Sequence, residues 1–245
     1  MKQREKIIAG TFHVVGGGCF GCQYAKWLLR ARELGWLEFS RLKIIDRDPG
    51  CRWARENDNA GGVELVVSDW MEYFSNLIST NEVISDSNDH WVPAPLSPHI
   101  LFEGFCRAAE SRFGGLKSSP VKFANQVGTP VQIPLESGAL AVSFAEWTCP
   151  VNCIEPPTCP AIHRPRHWDM KRNLGKYFSK RQEVFSWHVL QCRHLIHGVG
   201  TIPLRDIYDE YQKFLRTLEG QGNLELVVAT VSGCHGLIAQ ASLET

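Results

Sequence analysis

Short apolar runs alternate with amphipathic helical patterns along the first half of the chain. Runs rich in Val and Ile predict buried strands, and segments with apolar residues every three or four positions predict helices. The predicted strands cover 12–15, 42–45, 63–67 and 89–92. The predicted helices cover 19–34, 51–57, 99–112 and a segment that begins near 70. Strands that alternate with helices predict an α/β fold with a doubly wound parallel sheet.

The second half of the chain has more strand patterns and fewer helical ones. Strands are predicted at 130–135, 138–146, 183–196 and 224–231, and the last of these leads through a turn into 237–243. A helix is predicted at 204–218, because its apolar residues form a single stripe. We therefore predict a parallel α/β domain over 1–120 and an α+β domain over 121–245, the second carrying a cysteine-rich loop at 147–170.

Composition narrows the class of protein. The chain has 245 residues, 44% of them apolar, and its 26 Lys and Arg balance its 26 Asp and Glu. A nucleic-acid-binding protein usually has a basic surplus, so we expect no nucleic-acid partner. We find no signal peptide and no apolar run long enough to span a bilayer, which predicts a cytoplasmic protein. The nine cysteines then indicate metal or redox chemistry rather than disulfides.

A glycine-rich motif joins the first predicted strand to the first predicted helix. Gly16, Gly18 and Gly21 form a G-x-G-x-x-G. In such a motif the glycines permit a tight turn, close approach of a pyrophosphate and close helix packing, and the helix offers free N–H groups. Asp46 ends the second strand 25 positions after Gly21, near where an NAD ribose acceptor is expected. Asp69 follows the third strand and is a further candidate cofactor contact, with a helix N-cap as the alternative.

These residues give the first half a resemblance to the dinucleotide-binding Rossmann superfamily. The apolar run into V-x-G-G-G is similar to the compact domains of potassium-uptake regulatory proteins and siroheme-type dehydrogenases. The resemblance implies that Gly16, Gly18 and Gly21 bind a pyrophosphate and that Asp46 binds a ribose. Asp46 would repel a 2′-phosphate, which favours NAD over NADP despite the adjacent Arg47. FAD would use similar geometry, and a fold that has lost its ligand is the alternative.

The second chemical signal is the loop 147–170. Cys149, Cys153 and Cys159 are spaced C-x3-C-x5-C and are flanked by prolines, which stiffen the backbone that presents the thiols. The fragment C-P-V-N-C-I resembles part of bacterial ferredoxins, but the C-x2-C-x2-C run that precedes it there is absent. For a fourth metal ligand we prefer Cys234, then Cys192, then His194 or His235.

Three thiols and one further ligand suit a [4Fe–4S] cluster or a zinc ion, with no metal as a third possibility. We prefer the cluster, because it tolerates irregular spacing and pairs naturally with a nicotinamide or flavin. The sequence thus predicts an NAD(P)-binding oxidoreductase or electron-transfer component with a redox partner protein. His194 and His235 are candidate catalytic residues, since both can titrate near neutrality. The alternatives are an NAD-sensing regulatory subunit and a zinc-clamped accessory protein of a larger complex.

Overall fold

The computed structural model describes residues 6–57, 62–79, 88–93, 99–181, 185–219 and 223–244. Within these ranges the chain is a mixed α/β protein with parallel and antiparallel strands. The elements, in chain order, are β1 (Ile7–Val15), α1 (Cys19–Glu33), β2 (Leu37–Asp46), α2 (Arg52–Glu56), β3 (Val63–Val67), α3 (Trp70–Ser79), β4 (His90–Val92), α4 (Ile100–Arg112), β5 (Lys117–Val121), β6 (Val131–Pro134), β7 (Leu140–Ser143), β8 (Thr158–Cys159), β9 (Arg164–Pro165), α5 (Met170–Phe178), β10 (Phe185–Gln191), β11 (Arg193–Ile196), β12 (Val199–Pro203), α6 (Leu204–Glu219), β13 (Asn223–Val231) and β14 (His235–Glu244).

The first sheet has the strand order β11-β12-β4-β1-β2-β3. Strands β1 to β4 are parallel, as the alternating pattern predicts, whereas β12 is antiparallel to β4 and β11 is antiparallel to β12. The β1–β2 ladder runs from Ile7 opposite Leu37 to Val15 opposite Ile45, so both strands begin earlier than predicted. Helix α1 covers one face, where Ala25 and Leu28 are fully buried.

The second sheet has the order β10-β13-β14-β7-β6, and β5 also pairs with β14. Its β10–β13 pair is parallel and the remaining pairs are antiparallel. One apolar core contains α3, α4, α6 and residues of both sheets, among them Trp91 and Leu226. Helix α5 covers the opposite face of the second sheet through Met170, Leu174 and Phe178. The two sheets therefore share a layer of helices.

The single strand predicted at 183–196 is wrong for its described part, which begins at residue 185. The chain forms β10 beside β13, breaks at Cys192 and then enters the first sheet as β11 beside β12. His188 and His194 consequently lie in different sheets and do not share a face. The G-x-G-T segment at 198–201 belongs to the β11–β12 hairpin, with Gly198 at a φ of 77°. The domain boundary near residue 120 stays a prediction.

Candidate functional site

The glycine-rich loop joins the end of β1 to the start of α1. Gly16 has a φ of 82°, in the left-handed region that favours glycine. A Cβ at Gly21 would overlap the carbonyl oxygen of Gly16, so the helix can approach the loop this closely only with glycine there. Gly18 is exposed, is the N-cap of α1 and has no heavy atom within 4 Å of the position of a Cβ. The loop thus leaves the N-terminus of α1 open to a ligand.

Asp46 holds this loop in place. Its carboxylate accepts hydrogen bonds from the backbone N–H of Gly17 at 2.6 Å and of Asp48 at 2.9 Å. A carboxylate has about four lone-pair directions, so both oxygens can accept further bonds. Asp46 is half-buried at the end of β2. The structure therefore brings Asp46 to the glycine loop, and its contact with a ribose stays a prediction.

Asp69 begins helix α3. Its Oδ1 accepts hydrogen bonds from the backbone N–H of Met71 at 2.9 Å and of Glu72 at 3.2 Å, the pattern of an N-cap. The next residue, Trp70, donates its indole N–H to the carbonyl of Ile45 at 3.0 Å and lies beside Gly16. Asp69 therefore has a structural partner, and its contact with a cofactor stays a prediction.

Four cysteines line a second site, which we call the cysteine pocket: Cys149, Cys153, Cys159 and Cys234. Two of them lie in the loop after β7, one lies on β8, and the fourth lies in the turn between β13 and β14. The cavity between them is about 10 Å³, roughly the space of one water molecule. Cys192, the alternative fourth ligand, is not among the residues that line it.

Local turns position the first three cysteines. The backbone N–H of Cys153 donates to the carbonyl of Pro150 at 3.0 Å, which closes a tight turn between two of the thiols. Cys159 pairs with Arg164 across the short β8–β9 hairpin. His163 turns that hairpin with a φ of 52° and donates its N–H to the carbonyl of Cys159 at 2.9 Å. The prolines therefore sit in a loop with defined turns.

Glu155 ties the cysteine loop to the turn that carries Cys234. Its carboxylate accepts hydrogen bonds from the backbone N–H of Gly233 at 2.8 Å and of Cys234 at 3.1 Å, and it lies 3.5 Å from the guanidinium of Arg166. Burial raises the pKa of Glu155, but hydrogen bonds from Ser232 and Gly233 outweigh it and hold the pKa below its ordinary value. The φ of Glu155 is 52°. The sequence gives no sign of this role, because neither the left-handed conformation nor the distant partner can be derived from local residue types.

Hydrogen-bond donors point at two of the four sulfurs. The backbone N–H of Glu155 donates to Cys153 Sγ at 3.3 Å, and the indole N–H of Trp168 donates to Cys234 Sγ at 3.1 Å. His235 Nε2 lies 3.5 Å from Cys149 Sγ and accepts from this thiol, because the ring proton is on Nδ1, which donates to Ser143 Oγ. Such N–H donors stabilise thiolates and tune the properties of a metal that the thiolates bind, such as its redox potential.

Two of the pocket thiols, Cys149 and Cys234, have a raised pKa, mainly because they are buried. Burial raises the pKa of Cys149, and the nearby Cys234, Cys153 and Cys159 raise it further. A metal would have to displace the protons of these thiols. Across the described ranges, no group of three or more His, Cys, Asp or Glu side chains stands close enough together to hold a metal ion.

The two candidate catalytic histidines lie at the cysteine pocket, and each is held by hydrogen bonds to neighbouring groups. His235 Nδ1 lies 2.9 Å from Ser143 Oγ, and burial lowers the pKa of this histidine. His194 Nδ1 lies 2.7 Å from the carbonyl of Cys153 and therefore donates to it. Both histidines brace the cysteine pocket, and a role for either in proton transfer stays a prediction.

Cys192 lies at the break between β10 and β11 and packs against the apolar core that contains α3, α4 and α6. Burial, with a smaller contribution from Glu155, raises the pKa of Cys192 to about 12. Burial raises the pKa of Tyr24 on helix α1. A Cβ at Gly200 would lie 2.6 Å from Cys192 Sγ, so this glycine makes room for the thiol. Cys192 is half-buried, and its raised pKa keeps the thiol neutral near pH 7.

The fold and these two sites define a mixed α/β protein with a glycine-rich loop on its parallel strands and a pocket of four cysteines. Residues 102–244 match the family model AF_1314_C, described as "Uncharacterized protein, C-terminal domain". The chain belongs to this family. The matched region contains all four cysteines of the pocket and does not reach the glycine-rich loop. Neither the curated proteins nor the solved structures contain a match. No helix in the described part of the chain is long and apolar enough to cross a membrane.

Proposed function

We propose that this chain is an NAD-binding redox protein, an oxidoreductase or an electron-transfer component, with a metal centre in the cysteine pocket. The observation that carries the proposal is the meeting of Cys149, Cys153, Cys159 and Cys234 around one cavity. These cysteines come from three separate parts of the chain. Soft thiolate ligands select zinc or iron–sulfur clusters.

The dinucleotide part of the proposal depends on a Rossmann-like interpretation of the first sheet. The parallel strands have the order β3-β2-β1-β4, and the glycine-rich loop follows β1. In that fold the pyrophosphate lies at the N-terminus of the first helix, here next to the exposed Gly18. Asp46 at the end of β2 would bind the ribose and favours NAD over NADP. FAD is the second cofactor that this geometry could hold.

The metal could be an iron–sulfur cluster or a zinc ion, and the four thiols would have to draw closer together to bind either. A cluster would carry electrons to or from the nicotinamide and to a partner protein, which is the function we prefer. The small cavity, about 10 Å³, supports the second candidate, because a single zinc ion needs little space. The protein would then be a zinc-clamped accessory protein or an NAD sensor, in which no electrons pass.

The first experiment is anaerobic purification followed by a visible spectrum and assays for iron, sulfide and zinc. Two variants make it specific: Cys234→Ser removes a residue that lines the pocket, and Cys192→Ser is the matched control. We expect the first to lose the metal and the second to keep it. A metal-free wild-type protein, or equal metal loss from both variants, would overturn the metal centre.

A second experiment tests the dinucleotide. NADH fluorescence is titrated with the wild-type protein and with Asp46→Asn, which removes the charge that repels a 2′-phosphate. We expect the wild type to prefer NADH and the variant to bind NADPH better than the wild type does. Oxidation of bound NADH by an electron-accepting dye would favour the redox protein, and binding without oxidation would favour the sensor. No binding of either dinucleotide would refute this part of the proposal.

A further inference from the structure

A larger cavity, of about 300 Å³, lies between helix α4 and the second sheet. We call it the α4 cavity. One face of α4 lines it through His99, Phe102, Glu103, Cys106 and Glu110, which recur at the three- and four-residue spacing of a helix face. Its volume is within the range of small-molecule sites in proteins. It shares no lining residue with the cysteine pocket.

The cavity exists because the sheet presents small side chains where α4 passes over it. Along β14, Leu237, Ala239, Ala241 and Leu243 point to the same face, since side chains alternate along a strand. The two central alanines line the cavity. Larger apolar residues at these two positions would fill the space between helix and sheet. The sheet side of the α4 cavity is therefore lined by small apolar side chains at these two positions.

A buried histidine at one end of the cavity lacks half of its hydrogen bonds. Only 8% of His99 is exposed; its Nε2 lies 2.7 Å from Thr230 Oγ1, and its Nδ1 has no partner among the described residues. Burial lowers the pKa of His99 to about 3, so the ring is neutral. Buried polar atoms nearly always have a partner, so an unpartnered ring nitrogen beside a cavity indicates a place for a ligand atom.

One carboxylate in the cavity is also unpaired. Glu103 is half-buried and makes no side-chain hydrogen bond and no ion pair within the described ranges. Burial raises the pKa of Glu103, Arg107 opposes this effect, and Asp69 adds to it. Glu110, by contrast, accepts hydrogen bonds from the backbone and the hydroxyl of Ser118. Of the two carboxylates that line the cavity, Glu103 is thus the free one.

We propose that the α4 cavity binds a small organic amine. The ammonium group would pair with Glu103, the apolar body would lie on Ala239 and Ala241 beside Phe102, and His99 Nδ1 would hydrogen-bond to the ligand. Two carboxylates face the cavity against one arginine, Arg107, whose side chain is exposed. This charge balance favours a cationic ligand over an anionic one. The proposal is independent of the dinucleotide and of the metal.

The test uses three probes of one shape: benzylamine, benzyl alcohol and benzoate. Their binding to the full chain is measured by ligand-observed NMR in competition with one another. We expect benzylamine to bind most tightly, benzyl alcohol about tenfold more weakly and benzoate not at all. Glu103→Gln, which is nearly isosteric, should remove the preference for the amine. The control Glu33→Gln changes an exposed carboxylate on α1 and should leave it unchanged.

Filling the cavity gives an independent test. Ala241→Leu should abolish the binding of all three probes, and Ala241→Val is the milder variant if the first does not fold by circular dichroism. Benzoate that binds as well as benzylamine would overturn the choice of an amine. Equal binding of benzylamine to the wild type and to the filled variant would overturn the site itself.

Discussion

A carboxylate away from both sites gives the sharpest test of the electrostatics. Glu210 on α6 accepts a hydrogen bond from His188 Nδ1 at 2.9 Å and one from Lys213 Nζ at 2.7 Å. His188 in turn lies 2.8 Å from the hydroxyl of Ser186. Burial would raise the pKa of Glu210, but the hydrogen bonds from His188 and Lys213 lower it to about 2, against an ordinary value of 4.5. We expect Glu210→Gln to lower the free energy of unfolding near neutral pH.

The size of the effect follows from the shift in pKa. A fall from 4.5 to about 2 corresponds to an upper limit of roughly 3.5 kcal/mol, since one pKa unit is about 1.4 kcal/mol. The side chain of Glu210 is 24% exposed, and solvent screening reduces the limit. We therefore expect a loss of about 1–2 kcal/mol at pH 7. Because the folded-state pKa is lowered, this stability is present above pH 4.5 and is lost as the pH falls towards 2.

Urea denaturation of the wild type and of Glu210→Gln at pH 7, 5 and 3 measures the difference in the free energy of unfolding. The control is Glu33→Gln, since Glu33 and its partner Arg30 are both more than half exposed and their pair should contribute little. The reasoning is refuted if the loss in Glu210→Gln is the same at pH 3 as at pH 7, or if the control loses as much.

Three further predictions concern the glycine-rich loop and the cysteine pocket. Gly21→Ala should lower the melting temperature and abolish NADH binding, because its Cβ overlaps Gly16, whereas Gly114→Ala, where a Cβ meets no atom within 4 Å, should change neither. Asp69→Ala should lower the free energy of unfolding by about 1 kcal/mol in a thermal melt, because the N-cap is lost. Asp69→Ser should keep most of this stability, and an equal loss in both variants would exclude capping. Gly233→Ala should reduce the metal content measured by elemental analysis. The added Cβ would overlap the guanidinium of Arg166 and lie 2.9 Å from Glu155. An unchanged metal content would show that the Glu155 contact does not position Cys234.

The parts of the fold that are determined by residues close together in the sequence could be predicted from it. The parallel strands and the loop at Gly16 follow from local apolar periodicity and from glycine placement. The selection of Cys234 as a companion of the loop cysteines depended on its place in a Gly-flanked turn, and the structure puts it at the pocket. Metal binding by these thiols stays a prediction, which the metal assays test.

Other features depend on long-range contacts that no local pattern encodes. Strand periodicity runs through 185–196 without showing that β10 and β11 belong to different sheets. Glu155 looks like any polar residue between cysteines, although it is the link to Gly233. The α4 cavity arises because Ala239 and Ala241 pass under α4, and alanine in a strand does not by itself indicate an empty space.

The β11–β12 hairpin has a consequence for how the chain folds during synthesis. Ile202 and Pro203 pair with the edge of β4, so the first sheet acquires its last strands only after β11 and β12 have been made, more than 100 residues after β4. Until then the edge of β4 presents unpaired backbone groups to other chains. Such late, long-range pairing slows folding and prolongs exposure to aggregation. A fragment ending near residue 120 would carry that open edge permanently, so recombinant work on the glycine-rich loop needs the whole chain.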